Sequence, residues 1–302
     1  MKSESRVSVL MATFNGEVYL REQMESILHQ EDVDITLMVR DDGSNDSTLS
    51  IINSYHERCI LNIIKGNHLG PAKGFLHLLQ MSPDDVDYYA FSDQDDYWEK
   101  DKLSVAINML KDAGTTPALY FSLTQLADKD LNPIPSPTIN PFLTFGESLI
   151  YEFIPGCTMV INKSLRNIIN SYNPTYLPMH DVWIYSVALA VGAQIFFDKK
   201  PHILYRQHSS NTIGQGYSIW HEWNRRWNRF CNNEQSRSRR AQEIMNGFHA
   251  YITHENKDLL DNFIKGKHSL IQRGKLIKDC RLRCANKSTL LYFWLNLLIN
   301  KY

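Results

Sequence analysis

Three carboxylates crowd into four positions in FSDQDDYWEKDKL, Phe91 to Leu103, where Asp93, Asp95 and Asp96 follow directly on a hydrophobic run. Carboxylates this close repel one another, and desolvation sharpens the repulsion. On a strand-to-helix turn they can give oxygen ligands to one hard divalent cation, Mg2+ or Mn2+, of the kind that also binds substrate phosphates. The competing use is one Asp capping the next helix while the others face water. A second acidic cluster, RDDGSNDST from Arg40 to Thr48, presents Asp41 and Asp42 beside Gly43; taken alone it reads as a tight turn and a helix cap. A third polar stretch, ATFNG from Ala12 to Gly16, closes an apolar run with the turn dipeptide Asn-Gly.

These clusters fall at the ends of predicted strands. Arg6–Thr13, Asp34–Val39, Leu61–Lys65 and Val86–Ser92 read as strands, and helical patterns follow over Glu17–His29, Leu49–Arg58 and Phe75–Met81 and from about Lys100. Strands alternating with helices predict an α/β fold with a parallel sheet and right-handed crossovers. In such sheets ligands gather beyond the carboxyl ends of the strands, where ATFNG, DDGS and DQDD sit. Further on, Asp128–Phe145 reads as a surface loop, Phe153–Ile161 and Gln194–Phe197 as strands, and Asp181–Val191 as a helix between them. No GxGxxG follows the first strand and no GxxxxGKS/T occurs, so dinucleotide-binding and P-loop chemistries lack their fingerprints.

At 302 residues, 43% hydrophobic and 22% charged, the chain reads as globular and long enough for one large domain plus an appendage. Its net charge of −1 conceals a split: residues 215–302 hold 16 Lys+Arg against 7 Asp+Glu, which leaves residues 1–214 at −10. The five cysteines are scattered; Cys280 and Cys284 lie four apart, on one face of a predicted helix, without a second pair to complete a zinc site. The stretch MKSESRVSVLMATFNG has no cationic segment ahead of a long apolar core, and no run reaches the ~18 apolar residues of a membrane-spanning helix, so a cytoplasmic protein is expected.

The ordered set VSVLMATFNGEVYLREQMESILHQ, RDDGSNDST, GNHLGPAKGF and FSDQDDYWEKDKL resembles the family 2 glycosyltransferases of the GT-A fold. MHDVWIYSVALAVG and ILYRQHSSNTIG resemble, more narrowly, their rhamnosyltransferase-like branch. The resemblance covers roughly residues 6–214. It implies a catalytic domain over 1–214, built on a Rossmann-like, mixed but mostly parallel sheet flanked by helices, with a basic, aromatic-rich helical region over 215–302 outside it. The implied activity is that of an inverting, metal-dependent transferase working in surface polysaccharide synthesis. It would move a sugar, with rhamnose from dTDP-rhamnose the favourite, from a dTDP- or UDP-linked donor to a glycan or lipid-linked oligosaccharide acceptor.

Position by position, Thr13, Phe14 and Asn15 match the family's first-strand motif against the nucleotide base, and Asp41 or Asp42 the acidic residue that accepts from the pyrimidine N3–H. Lys73 falls near a basic residue that faces the nucleotide, and Gly74 stands where many relatives carry Asn. Asp93 and Asp95 match the DxD that reaches ribose and metal, with Asp96 helping indirectly. Asp181 matches the catalytic carboxylate, its competing role being a helix cap; His180 precedes it where many relatives have Glu. Arg206 could pair with phosphate, and His208 could complete the metal shell or touch the diphosphate.

In SIWHEWNRRWNRF, Trp220, Trp223 and Trp227 recur at helical spacing among Arg225, Arg226 and Arg229, which suits a helix at a membrane surface and a peripheral location at the inner face of the cell membrane. LLYFWLNLLIN is apolar but too short to span a bilayer. Both could instead pack on the catalytic domain or on a second subunit. The basic tail carries no nucleic-acid motif, so no nucleic-acid partner is expected. Two rival functions remain at this level. A non-catalytic nucleotide-sugar-binding protein would be expected to have lost some of Asp93, Asp95 and Asp181, and a sugar nucleotidyltransferase would want a Gly-rich, basic loop that ATFNGEVYL does not supply.

Overall fold

The computed structural model describes residues 5–208 and 236–302. Its main sheet begins with β1 (Ser5–Thr13), β2 (Val33–Asp41), β3 (Ile60–Lys65) and β4 (Tyr88–Ser92), all parallel. Val7, Val9, Leu10 and Met11 are fully buried, so β1 reads as a continuous apolar run with no alternation, as a strand covered on both faces must. Three further strands, β6 (Ala118–Ser122), β8 (Val160–Asn162) and β9 (Gln194–Asp198), complete the order β3-β2-β1-β4-β8-β6-β9. β8 runs antiparallel to both β4 and β6, giving the mixed, mostly parallel sheet of the GT-A fold.

A second, small sheet joins β5 (Tyr97–Trp98), β10 (Ile203–Arg206) and β7 (Gln125–Ala127), with β10 in the middle. It is absent from the expectations above and is essential to the site, because it draws the segment after DQDD against Arg206. The expected strand Phe153–Ile161 is also corrected. Pro155 directs the chain into a tight turn over Gly156–Thr158, and only Val160–Asn162 pairs.

Helices cover both faces. On one, α1 (Leu20–Leu28) and α4 (Lys102–Leu110) bury Leu20, Met24, Ile27, Leu103 and Ala106 against β1, β2 and β6. On the other, α3 (Pro71–Met81), α6 (Lys163–Asn170) and α7 (His180–Ala190) pack under β4 and β6, with α2 (Thr48–Asn53) and α5 (Phe145–Ser148) as short turns elsewhere. Among the described residues from Ser236 onward, four helices follow: α8 (Ser236–Phe248), α9 (His254–Lys265), α10 (Leu270–Lys278) and α11 (Lys287–Leu298). Their Ile244, Phe248, Leu260, Phe263, Phe293 and Leu297 join the core beneath α7. Buried Arg240 clamps the union: Nη1 donates to Glu152 at 2.7 Å and Nη2 to the Ser148 carbonyl at 2.7 Å.

Cys280 and Cys284 lie between α10 and α11, not on one helix face, because α10 stops at Lys278. The segment with Trp220, Trp223, Trp227, Arg225, Arg226 and Arg229 lies outside the described residues. No helix among those described is long and apolar enough to cross a membrane.

Candidate active site

At the carboxyl ends of β1 and β4 the chain opens a cleft of ≈1280 Å³. Thr13, Phe14, Asn15, Asp42, Asp93, Asp95, Asp181 and His208 all line it, whereas Asp41, Lys73 and Arg206 do not. The floor is held by hydrogen bonds between two loops. Asn15, in the left-handed region at φ 48°, donates its backbone N–H to Ser44 Oγ (2.9 Å) and accepts from the Asn45 N–H (3.0 Å). The Gly16 N–H donates to Thr48 Oγ1 at 2.8 Å. ATFNG and DDGSNDST are thus one laced unit, with the half-exposed Phe14 ring at its rim, 4.6 Å from the ring of His68.

The two carboxylates of DDGS divide their work. Asp41 ends β2, is buried, and turns inward to accept from the N–H groups of Gly43 and Ser44 and from Ser44 Oγ (3.2, 3.1 and 2.5 Å). Asp42 is the member that reaches the cleft. One of its oxygens pairs with buried Arg40 at 3.0 Å, and the other accepts from the Leu69 and Gly70 N–H groups (2.8 and 2.7 Å) beside His68 Nδ1 (3.3 Å). Lys73 is exposed on the first turn of α3 and does not line the cleft, although Pro71 and Gly74 beside it do. The cation next to the acidic loop is Arg40, at the end of an apolar strand, a position with no sequence signal.

At DQDD the three carboxylates face different surroundings. Asp95 Oδ2 lies 3.0 Å from His208 Nε2. Asp93 is pushed well above the ordinary carboxylate range, first by burial and then by the charges of Asp95 and Asp181. Asp96 is fully buried, and its Oδ1 accepts from the Arg206 backbone N–H at 3.1 Å. The Arg206 guanidinium donates to the Asp95 carbonyl (2.8 Å), to the Lys129 carbonyl and to Glu22, and stacks 4.5 Å from the centre of the Tyr19 ring. Arg206 therefore grips the backbone of the acidic loop from behind.

Among the described residues one compact donor set is present. Oxygens of Asp93 and Asp96 and the Cys157 sulfur lie within 4.8 Å of one another. Burial, before any charge, holds the Cys157 thiol far above its usual range, so it stays protonated and suits no hard ion. Asp93, Asp95 and His208 line the cleft and supply carboxylate oxygens and an imidazole, donor types that a hard divalent cation accepts. A positive charge there would relieve the repulsion between the acids.

Across the cleft, Asp181 sits in the first turn of α7, but Met179 holds the cap position, so helix capping does not account for the aspartate. Its Oδ1 accepts from the Val182 N–H (2.7 Å), and burial outweighs that bond to raise its pKa to about 6. Four residues not singled out from the sequence join the site: His68, Arg40, Cys157 and Gln94. Gln94 accepts from the Phe14 N–H at 2.9 Å and donates to the Phe14 carbonyl at 3.2 Å, bridging the first loop to the acidic loop. A lone Gln between aspartates could have been found only by knowing which loops meet.

Comparison with known proteins follows the same lines. The family model described as Glycosyl transferase family 2 matches residues 8–167. The dTDP-rhamnosyl transferase RfbG of Shigella flexneri is 34% identical over 225 residues, 69% of this chain and 75% of that protein. The Escherichia coli UDP-Glc:alpha-D-GlcNAc-diphosphoundecaprenol beta-1,3-glucosyltransferase WfaP is 29% identical over 165 residues, 54% of this chain and 63% of that protein. Among solved structures, S. aureus TarS 1-349 in complex with UDP-GlcNAc superimposes with a TM-score of 0.62 at 19% identity, covering 98% of this chain and 80% of that one. The mannosyltransferase PcManGT from Pyrobaculum calidifontis in complex with GDP-Man and Mn2+ gives 0.52 at 16% identity, covering 99% and 86%.

Proposed function

Because this chain belongs to glycosyl transferase family 2, we propose that the cleft binds a nucleoside-diphosphate sugar with a divalent cation and transfers the sugar, with inversion, to an acceptor hydroxyl. The observation that carries the reading is the meeting of Asp93, Asp95 and Asp181 in one cleft, close enough that the charges of Asp95 and Asp181 both bear on Asp93. On the donor side, Phe14 and His68 would flank the base and Asp42 would accept from its N3–H; Thr13 and Asn15 shape the same wall. Asp93, Asp95 and His208 would hold Mg2+ or Mn2+, which neutralises the diphosphate as it leaves; Mn2+ accompanies GDP-Man in PcManGT. On the acceptor side, Asp181 takes the hydroxyl proton as that oxygen bonds to the anomeric carbon and the bond from that carbon to the phosphate oxygen breaks on the opposite face. Arg206 acts by positioning the acidic loop and not by touching phosphate.

The donor we favour is dTDP-rhamnose, from the likeness to RfbG, and the acceptor a glycan on a lipid carrier, from the acceptor named for WfaP. An anionic membrane surface suits such an acceptor. Leu270, Ile271, Leu291, Leu295 and Leu298 on α10 and α11 are each more than half exposed, and the Arg273 guanidinium donates to the Leu298 carbonyl at 3.2 Å, tying the start of α10 to the end of α11. From Lys265 to Lys301 nine lysines and arginines face the single carboxylate Asp279. Two copies meeting on this face would oppose like charges, whereas anionic headgroups would complement it.

Calorimetry of dTDP and dTDP-rhamnose with and without Mn2+ tests the central claim. Binding should need the cation in the wild type and be lost in Asp95→Ala, a change on a half-buried turn outside the core that should leave the fold intact. Unchanged affinity and cation dependence in Asp95→Ala would overturn it.

A further inference from the structure

Residues 171–179 join α6 to α7, and their last member, Met179, lines the cleft. The Met179 carbonyl accepts from the Trp183 N–H at 2.9 Å, the first helical bond of α7. Asp181 therefore takes its position from where this loop ends. The loop is stiff near that end, because Pro178 fixes its own φ and biases Leu177 toward extended backbone. A shift at Tyr176 is thus passed on to Met179 with little absorbed between them.

The other end of the loop is held by α8. Glu243 on that helix is buried, and each of its carboxylate oxygens accepts two bonds from the loop. Oε2 takes the Tyr172 hydroxyl at 2.8 Å and the Thr175 N–H at 3.1 Å. Oε1 takes the Thr175 hydroxyl and, at 3.2 Å, the Tyr176 N–H. An ionised carboxylate has only acceptor sites, about four of them, so this one is filled by the loop. Burial acts to raise the Glu243 pKa, but the bonds from Thr175, Tyr172 and Tyr176 outweigh it and hold the group below its ordinary range. Two neighbours on the same face of α8 complete the grip. Arg239, one turn earlier, lies 5.5 Å from the centre of the Tyr176 ring. Gly247, one turn later, leaves room for the Tyr172 ring, since a Cβ there would stand 2.3 Å from Tyr172 Cδ1.

We propose that Glu243 is a positioning residue for the transfer step: by holding residues 172–176 it sets the first turn of α7 and so the direction in which Asp181 faces the acceptor. The proposal rests on the reading of Asp181 as the base. It gives the last helices of the chain a part in the chemistry, although Glu243 lies past the residues that match the family model.

Two measurements on the full-length protein test it. In the first, amide hydrogen exchange is followed in peptides covering 172–177 and 180–186. In Glu243→Ala both should lose protection, while peptides from the DDGS and DQDD loops keep theirs. Exchange that rises in the loop alone, with the first turn of α7 as protected as in the wild type, overturns the proposal. Glu243→Gln keeps one carboxylate-like oxygen and stands in, judged by the same outcomes, if Glu243→Ala does not fold.

The second measurement is release of dTDP from dTDP-rhamnose to water with Mn2+, or of UDP from UDP-glucose if only that donor turns over. Glu243→Ala should slow release about ten- to a hundred-fold, the cost of misplacing a reacting group by about 1 Å, with the dissociation constant for the bare nucleotide unchanged. In an Asp181→Asn background the same change should cost less than about twofold, since no base is left to aim. An equal loss in both backgrounds, or a loss of nucleotide affinity in step with rate, overturns the proposal, because a general loosening acts whatever stands at position 181. Asp181→Asn as fast as the wild type removes the base and the proposal with it. A slow Asp181→Asn beside a fast Glu243→Ala removes the proposal alone. If neither donor releases its nucleotide to water, the exchange measurement decides by itself.

Discussion

Asp181 joins two properties that pull against each other. The general base proposed above must be ionised at working pH, yet burial raises the Asp181 pKa to about 6. The sign follows directly. Below pH 6 the carboxyl holds its proton and cannot accept another, so kcat/KM should rise through an acid limb near pH 6 and level off above it. Asp181→Asn should lower turnover by roughly 10²–10⁴-fold while donor affinity stays within error, and the acid limb should disappear from the residual rate. Because the folded protein binds that proton more tightly than the unfolded chain, ionised Asp181 lowers stability above pH 6 and carries no such cost well below the carboxylate range. Asp181→Asn should therefore raise the thermal midpoint at pH 8 and leave it unchanged at pH 3. Loss of donor binding in step with rate, or an equal shift in midpoint at both pH values, would mark the residue as structural.

At the scale of elements, what could be read beforehand was set by how each strand is buried. β1, β2 and β4 are covered on both faces and spell themselves out as apolar runs, so the polar clusters at their ends were legible as a site. The two-residue β5 and four-residue β10 carry no period, and they pair across more than a hundred positions, Tyr97 with Leu204. Nothing in YRQHSSN announces that partner, and for that reason Arg206 reads as a phosphate ligand in the sequence and as a loop anchor in the structure. Likewise two adjacent aspartates cannot be told apart by type; Asp41 and Asp42 differ because one ends the strand and the other leaves it. The anchor can be tested. Arg206→Lys keeps the charge but not the fork that holds the Asp95 and Lys129 carbonyls. It should cost about 2–4 kcal/mol of stability, as breaking a buried polar network does, and weaken cation binding through displacement of Asp95. An unchanged melting temperature with weaker nucleotide binding would return Arg206 to the phosphate.

On the whole-molecule scale, the helices from Ser236 onward share one core with α7, so a chain cut before them should aggregate, having uncovered Trp183, whose ring packs on Phe248. Their outer face makes a separate statement. The intact protein should float with anionic liposomes at low salt and release partly as salt rises, since screening removes the lysine and arginine attraction but not the aliphatic contact. Leu291→Ser with Leu295→Ser should reduce the residual, salt-resistant fraction and leave donor binding alone. No flotation at low salt would retire the membrane reading, and a shift to dimer in the wild type that these changes abolish would assign the face to a second copy. The sheet order carries one more consequence, which concerns time. β8 separates β4 from β6, although β6 precedes it in the chain. During synthesis the acidic loop after β4 therefore emerges with one strand edge unpaired, and it stays so while more than sixty further residues are made. His208, the partner of Asp95, and Arg206, the anchor of the loop, arrive later still. A ribosome-bound fragment can fold the wall built by ATFNG and DDGS early, but Asp95, Arg206 and His208 meet only when nearly all of residues 1–208 are outside the tunnel, so a half-made chain would lack the proposed cation site.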